Sequence, residues 1–165
     1  MKKFQILACA FVALLTVLTV KAQEKTTDNT ILTAYFDVKN ALANDDAAAT
    51  NTKADVLLKA INNFKTDQLS ATDKTVWAKY AEKLKFDTRH IAENKEIAHQ
   101  REHFNTLSQN LYEAVKALKL NTTTVYRQYC PMKKSYWLSE TSAIKNPFYG
   151  SQMLTCGSVK EALAP

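Results

Sequence analysis

Residues 97–118 read IAHQREHFNTLSQNLYEAVKAL. Ile97, Phe104, Leu107, Leu111, Val115 and Leu118 recur there at the three- and four-residue steps that put apolar side chains on one face of a helix. The seam is unbroken and predicts one long amphipathic helix whose apolar side must be covered by other elements. Toward the N-terminus, no Gly, Pro or Cys occurs between Asn29 and Leu120, so only polar clusters can punctuate the chain.

Three more helices follow from that texture. The first runs from about Asn29 to Ala43, with Ile31, Tyr35, Val38 and Leu42 on one face. Asn44, Asp45 and Asp46 interrupt it and can cap a second, which continues to about Phe64 and turns Leu57, Leu58, Ile61 and Phe64 inward. A third, capped by Thr72 or Asp73, carries Trp77, Tyr80, Ala81, Leu84 and Ile91, with a joint near Phe86-Asp87. Asn94 and Lys95 mark the corner before the seam. The expected fold class is all-α, an antiparallel four-helix bundle.

Beyond Leu120 the texture changes. Thr122 to Thr124 are β-branched, Val125 to Tyr129 is a candidate short strand, and Pro131, Pro147, Gly150 and Gly157 break up the remainder. Tyr126, Tyr129, Tyr136, Trp137, Phe148 and Tyr149 are too much aromatic surface for a tail in water. Residues from about 121 to 165 therefore read as an irregular, aromatic-rich cap folded back on the bundle.

At the other end, residues 1–22 combine Lys2 and Lys3 with an apolar run from about Ile6 to Val20, the pattern of a cleaved secretory signal peptide. That leaves residues 23–165 as one domain, exported to the periplasm or beyond, with no second apolar run long enough to span a membrane. Losing Lys2, Lys3 and Lys21 lowers the basic count from 22 to 19 against 16 acidic residues, a net charge of +3. This weak bias lacks the basic stripe of a nucleic-acid binder. No Gly-rich phosphate loop, HExxH or CxxC is present, so the chain reads as non-enzymatic.

The chemistry concentrates in the cap. Cys130 and Met132 flank Pro131, and Met153 and Cys156 lie three apart further on. Thiolate and thioether donors select soft ions, Cu(I) above all. Alternatively, Cys130 and Cys156 pair as a disulfide, closing a loop of roughly 26 residues and stabilising the fold by ~3 kcal/mol. Oxidised cysteines supply no thiolates, so the two readings exclude each other. His99 and His103 are one helical turn apart, a chelating spacing. His103 lies at the border of the seam and is a candidate fifth ligand, and His90 could approach across the corner.

The order YCPM, YWLS, NPFYG and ML-x-CG-x-V, with QREHFNTLSQNL upstream, resembles a bacterial extracytoplasmic family, domain of unknown function three-three-four-seven. Members occur as small exported proteins and as domains attached to periplasmic adaptor subunits of heavy-metal efflux pumps. The resemblance therefore implies copper-type metal binding or a metal-resistance accessory role, with an efflux adaptor or other envelope protein as partner. It places Cys130, Met132, Met153 and Cys156 in the matching motifs. Lys133-Lys134-Ser135 is shorter than the family's usual glycine-containing loop. The alternative is a disulfide-stapled interaction module that binds no metal. In either case Gln100 and Arg101 are expected to hold the cap by hydrogen bonds.

Overall fold

A computed structural model describes residues 30–165. The expected signal peptide lies outside the described residues. Helix α1 spans Thr30–Ala43, α2 Ala47–Asn62, α3 Ala71–Glu93 and α4 Ile97–Leu118. Consecutive helices pack on one another, α1 on α2, α2 on α3 and α3 on α4. The apolar positions of each face are what they bury: Ile31, Tyr35, Val38 and Leu42 from α1, Leu57 and Ile61 from α2, and Phe104, Leu107, Leu111, Val115 and Leu118 from α4.

Polar residues set the corners. The Asp46 side chain accepts from Ala49 N at 2.8 Å and starts α2. Ser70, rather than Thr72 or Asp73, caps α3 by accepting from Asp73 N at 3.1 Å. No joint interrupts α3 at Phe86-Asp87. Phe64 lies just past α2 and meets Trp77 with ring centroids 4.1 Å apart.

The all-α expectation is corrected at the C-terminus. Strands β1 (Val125–Cys130), β2 (Ser135–Ser139) and β3 (Ser158–Leu163) form an antiparallel sheet in the order β2-β1-β3. The cap thus contains a small sheet where one short strand was expected, joined by irregular segments and a 3-10 turn at Gly150–Met153 before β3. Gln128 faces Trp137 across β1–β2. On the other side β3 carries one extra residue, Lys160, opposite the Arg127–Gln128 step.

The sheet meets the helices mainly where β2 lies on α4. Tyr35 stacks on Phe104 at 5.2 Å, Phe104 lies 5.9 Å from Phe148, and Phe148 meets Trp137 edge-on at 6.0 Å. This aromatic series carries one core from α1 through α4 into the sheet. Polar ties run beside it. The Leu138 amide donates to the Tyr35 hydroxyl at 3.1 Å, which pairs with Ser108 Oγ at 2.7 Å, and Ser108 in turn donates to the Phe104 carbonyl. Burial, the largest effect on the Tyr35 phenol, pushes its pKa up and keeps it protonated. Lys39 is equally buried. Its Nζ reaches Ser139 Oγ at 3.3 Å and Glu140 Oε2 at 2.6 Å, joining α1 to the end of β2.

Candidate metal centre

The ends of β1, β2 and β3 that carry sulfur coincide. Cys130 closes β1, Pro131 and Met132 begin the turn into β2, and Met153 and Cys156 precede β3, whose start pairs with the end of β1. Asn146 organises this end. Its fully buried amide donates from Nδ2 to Cys130 Sγ at 3.2 Å and to the Cys156 carbonyl at 2.8 Å, while its Oδ1 accepts from Phe148 N at 2.9 Å. Lys133 N is a second donor to Cys130 Sγ, at 3.4 Å.

Cys130 is buried and Cys156 half-buried, and neither is bonded to another cysteine. Gly157 holds the second of them close to the sheet. A Cβ there would come within 2.8 Å of the Trp137 ring and 3.0 Å of the Tyr129 carbonyl, so only glycine fits. Met132 is 60 % exposed and Met153 39 % exposed. The four sulfur residues thus lie in the segments at one sheet end, with Cys130 inside, Cys156 at the border and the two thioethers at the surface.

His103 is placed elsewhere. Its Nδ1 lies 2.9 Å from Asp87 Oδ1 on α3, and its ring contacts are with Phe86, His90 and His99, all on α3 or α4. The structure therefore joins His103 to the other two histidines, and its contacts among the described residues are with them, Phe86 and Asp87 rather than with the sulfur residues with which it was grouped. Asp87 was missed by the sequence reading. The available signal was its place three residues before His90 on the same helix.

Arg101 does hold the cap. Nε donates to the Pro147 carbonyl at 2.8 Å, and Nη2 donates to the Leu42 carbonyl at 2.9 Å and to Asp45 Oδ1 at 2.6 Å. The Asp45 carboxylate also accepts from Ser151 Oγ at 2.6 Å and Ser151 N at 2.8 Å. Those Ser151 bonds first, then the Arg101 guanidinium, bring the Asp45 carboxyl down to about 2. Gln100 instead ties helix corners, donating to the Asn94 carbonyl at 2.7 Å and the Ala47 carbonyl at 3.0 Å.

Four consecutive helices with a three-stranded antiparallel sheet laid on the last of them define the class of domain. No helix among the described residues is long and apolar enough to cross a membrane. The chain belongs to the family described as Protein of unknown function (DUF3347), which it matches over residues 31–123. That match takes in the helices and the three histidines and ends before β1. No curated protein and no solved structure matches the chain.

Proposed function

We propose that this protein is an exported, non-enzymatic module that binds a soft metal ion, Cu(I) foremost, at the sulfur-bearing end of its sheet. In this reading the four helices form an antiparallel bundle that serves as scaffold. The observation that carries it is the Asn146 amide, which holds the Cys130 thiol and the Cys156 backbone from one nitrogen. Two N–H donors aimed at Cys130 Sγ offset the charge of a metal-bound thiolate, the role that outer hydrogen bonds play around metal ligands. Cys130 and Cys156 are the thiolate ligands. Met132 and Met153, exposed at the same end, are free to swing onto the ion and shield it from water. His103 is left out of this shell because its ring is engaged with α3. A heavy-metal efflux adaptor or another envelope protein is the proposed partner.

The test is anaerobic titration of the reduced mature chain with Cu(I) against a chromogenic Cu(I) chelator. Uptake of one equivalent is expected, weakened at least tenfold by Cys156→Ser, weakened less by Met132→Leu or Met153→Leu, and unaffected by His103→Ala. A native mass two hydrogens below the reduced chain, with no metal adduct in protein recovered from the cell envelope, would instead make the cysteines a staple.

A further inference from the structure

The geometry points to a second metal site, separate from the sulfur end, in which His90, His99 and His103 bind a borderline divalent cation such as Zn2+ or Cu2+ through three imidazole nitrogens. His90 lies in the last turn of α3. His99 and His103 lie one turn apart at the start of α4, across the corner formed by Asn94 to Glu96. One ligand nitrogen from each residue falls within 4.8 Å of the other two. A tetrahedral shell with Zn–N bonds of about 2.0–2.1 Å sets its nitrogens about 3.3 Å apart. Closing the remaining gap takes side-chain rotation, which the part-exposed rings have room to make. The His90 and His103 rings stack, 7° apart in tilt with centroids at 4.5 Å, so one of them must turn about its side-chain torsions to bring both in-plane lone pairs onto one ion, and His99 already meets His103 edge-on at 4.8 Å.

Two further features fit a binding site better than a packing contact. Asp87 is 5 % exposed and faces His103 Nδ1. A neutral imidazole that donates Nδ1–H to this carboxylate presents the lone pair of Nε2, which is the carboxylate–histidine arrangement common around bound metals. The tautomer follows from the carboxylate, which has only acceptors to offer when ionised. Beside it, Phe86 packs on His90 at 4.4 Å while remaining 55 % exposed. An outward phenylalanine next to an inward aspartate reverses ordinary burial, and both residues touch the histidines.

The corner is also held rigid from outside. Asn51 Nδ2 donates to the carbonyls of Ile91, Ala92 and Asn94 at 2.8, 2.9 and 2.7 Å. Gln100 adds a bond to the Asn94 carbonyl, and the Glu96 amide donates to Asn94 Oδ1 at 2.7 Å. The backbones bearing the three ligands are thereby fixed before any ion arrives, so little ordering remains for binding to supply. Three protein nitrogens leave a fourth position open to water or to a donor from a partner. Imidazole ligands favour Zn2+ and Cu2+ over the Cu(I) expected at the sulfur end, and the inference stands whether or not that end binds metal.

The experiment uses the full mature chain with the Cys156→Ser change as background, stripped of metal and titrated with Zn2+ against a chromogenic chelator and separately with Co2+. One equivalent should bind, with the visible bands of four-coordinate Co2+ and no sulfur charge-transfer band. His99→Ala, whose side chain has no hydrogen bond to lose among the described residues, should weaken Zn2+ binding at least tenfold, as should His90→Ala. Asp87→Asn should weaken it roughly 10- to 100-fold while keeping the same Co2+ spectrum, because it repositions a ligand without removing one. Added Zn2+ should raise the melting temperature of the parent but not of His99→Ala. Unchanged affinity in both His90→Ala and His99→Ala, or no uptake by the parent at micromolar Zn2+, overturns the site.

Discussion

Replacing Gly150 with alanine tests how the cap is locked to the helices. Gly150 has φ +55°, and a Cβ built there would lie 2.6 Å from Asp45 Oδ2 and closer still to the rest of that carboxylate. The carboxylate is the end of a side chain and can move aside. The penalty lies in what it leaves, namely the bonds from Arg101 Nη2, Ser151 N and Ser151 Oγ. Hydrogen bonds to charged groups contribute ~1.5–3 kcal/mol each. With Asp45 36 % exposed, solvent screening reduces these three to a total of ~2–3 kcal/mol. Alanine in a left-handed conformation adds ~1–2 kcal/mol. Gly150→Ala should therefore destabilise by ~3–5 kcal/mol, lowering Tm by roughly 12–20 °C at ~4 °C per kcal/mol for a domain of this size. Asp45 itself has φ 58°, so Asp45→Gly removes the carboxylate without adding strain. In that background Gly150→Ala should cost only its ~1–2 kcal/mol of backbone strain. Urea unfolding followed by far-UV circular dichroism on all four chains gives the coupling. Equal penalties in the two backgrounds, within ~0.5 kcal/mol, would show that the carboxylate is not what Gly150 accommodates.

Tyr35→Phe should destabilise by ~1–3 kcal/mol by leaving the Leu138 amide without its buried acceptor, and an unchanged urea midpoint would refute that. For acid stability, Asp45 is held at about 2 against an unfolded value of 3.8, so the unfolded chain takes up its proton first. This stabilisation is complete above the unfolded value and is lost as pH falls through the folded one. The urea midpoint should decline over that window, and decline less in Asp45→Asn.

The helical part was legible because it follows from local period. The seam of α4, the face of α1 and the Asn-Asp corners are readable from spacing alone, since each apolar stripe points one way. The sheet was legible only at β1, where β-branched and aromatic residues cluster. In β3, SVKEAL has no fully buried residue, so no alternation marks it. It is a strand because β1 offers it a ladder, a partner about 30 to 40 residues away whose influence propensity does not carry. The expected joint at Phe86-Asp87 is absent, yet the step is unusual in another way. That step inverts the residue types, a buried Asp87 beside an exposed Phe86, without breaking either the burial period or the backbone of α3, and the residues responsible are those beside His90 and His103. Local rules fail most often where a chain has something other than stability to satisfy. The clustering of Cys130, Met132, Met153 and Cys156 along the chain was visible, whereas the engagement of His103 with Asp87 and His90 on α3 was not, because a helix border faces two neighbours and spacing does not choose between them.

The ties from α1 to β2 also impose an order in time. The Tyr35 hydroxyl meets the Leu138 amide 103 residues later, and Lys39 meets Glu140 101 residues later. The helix pairs, by contrast, join neighbours in the chain and can form within microseconds to milliseconds, as local contacts do. Synthesis at about 5–20 residues per second puts roughly 5–20 s between the emergence of α1 and that of its β2 partners. During that interval the Lys39 ammonium has no Glu140 carboxylate to meet and stays hydrated, so α1, the earliest of the described helices, is among the last to settle.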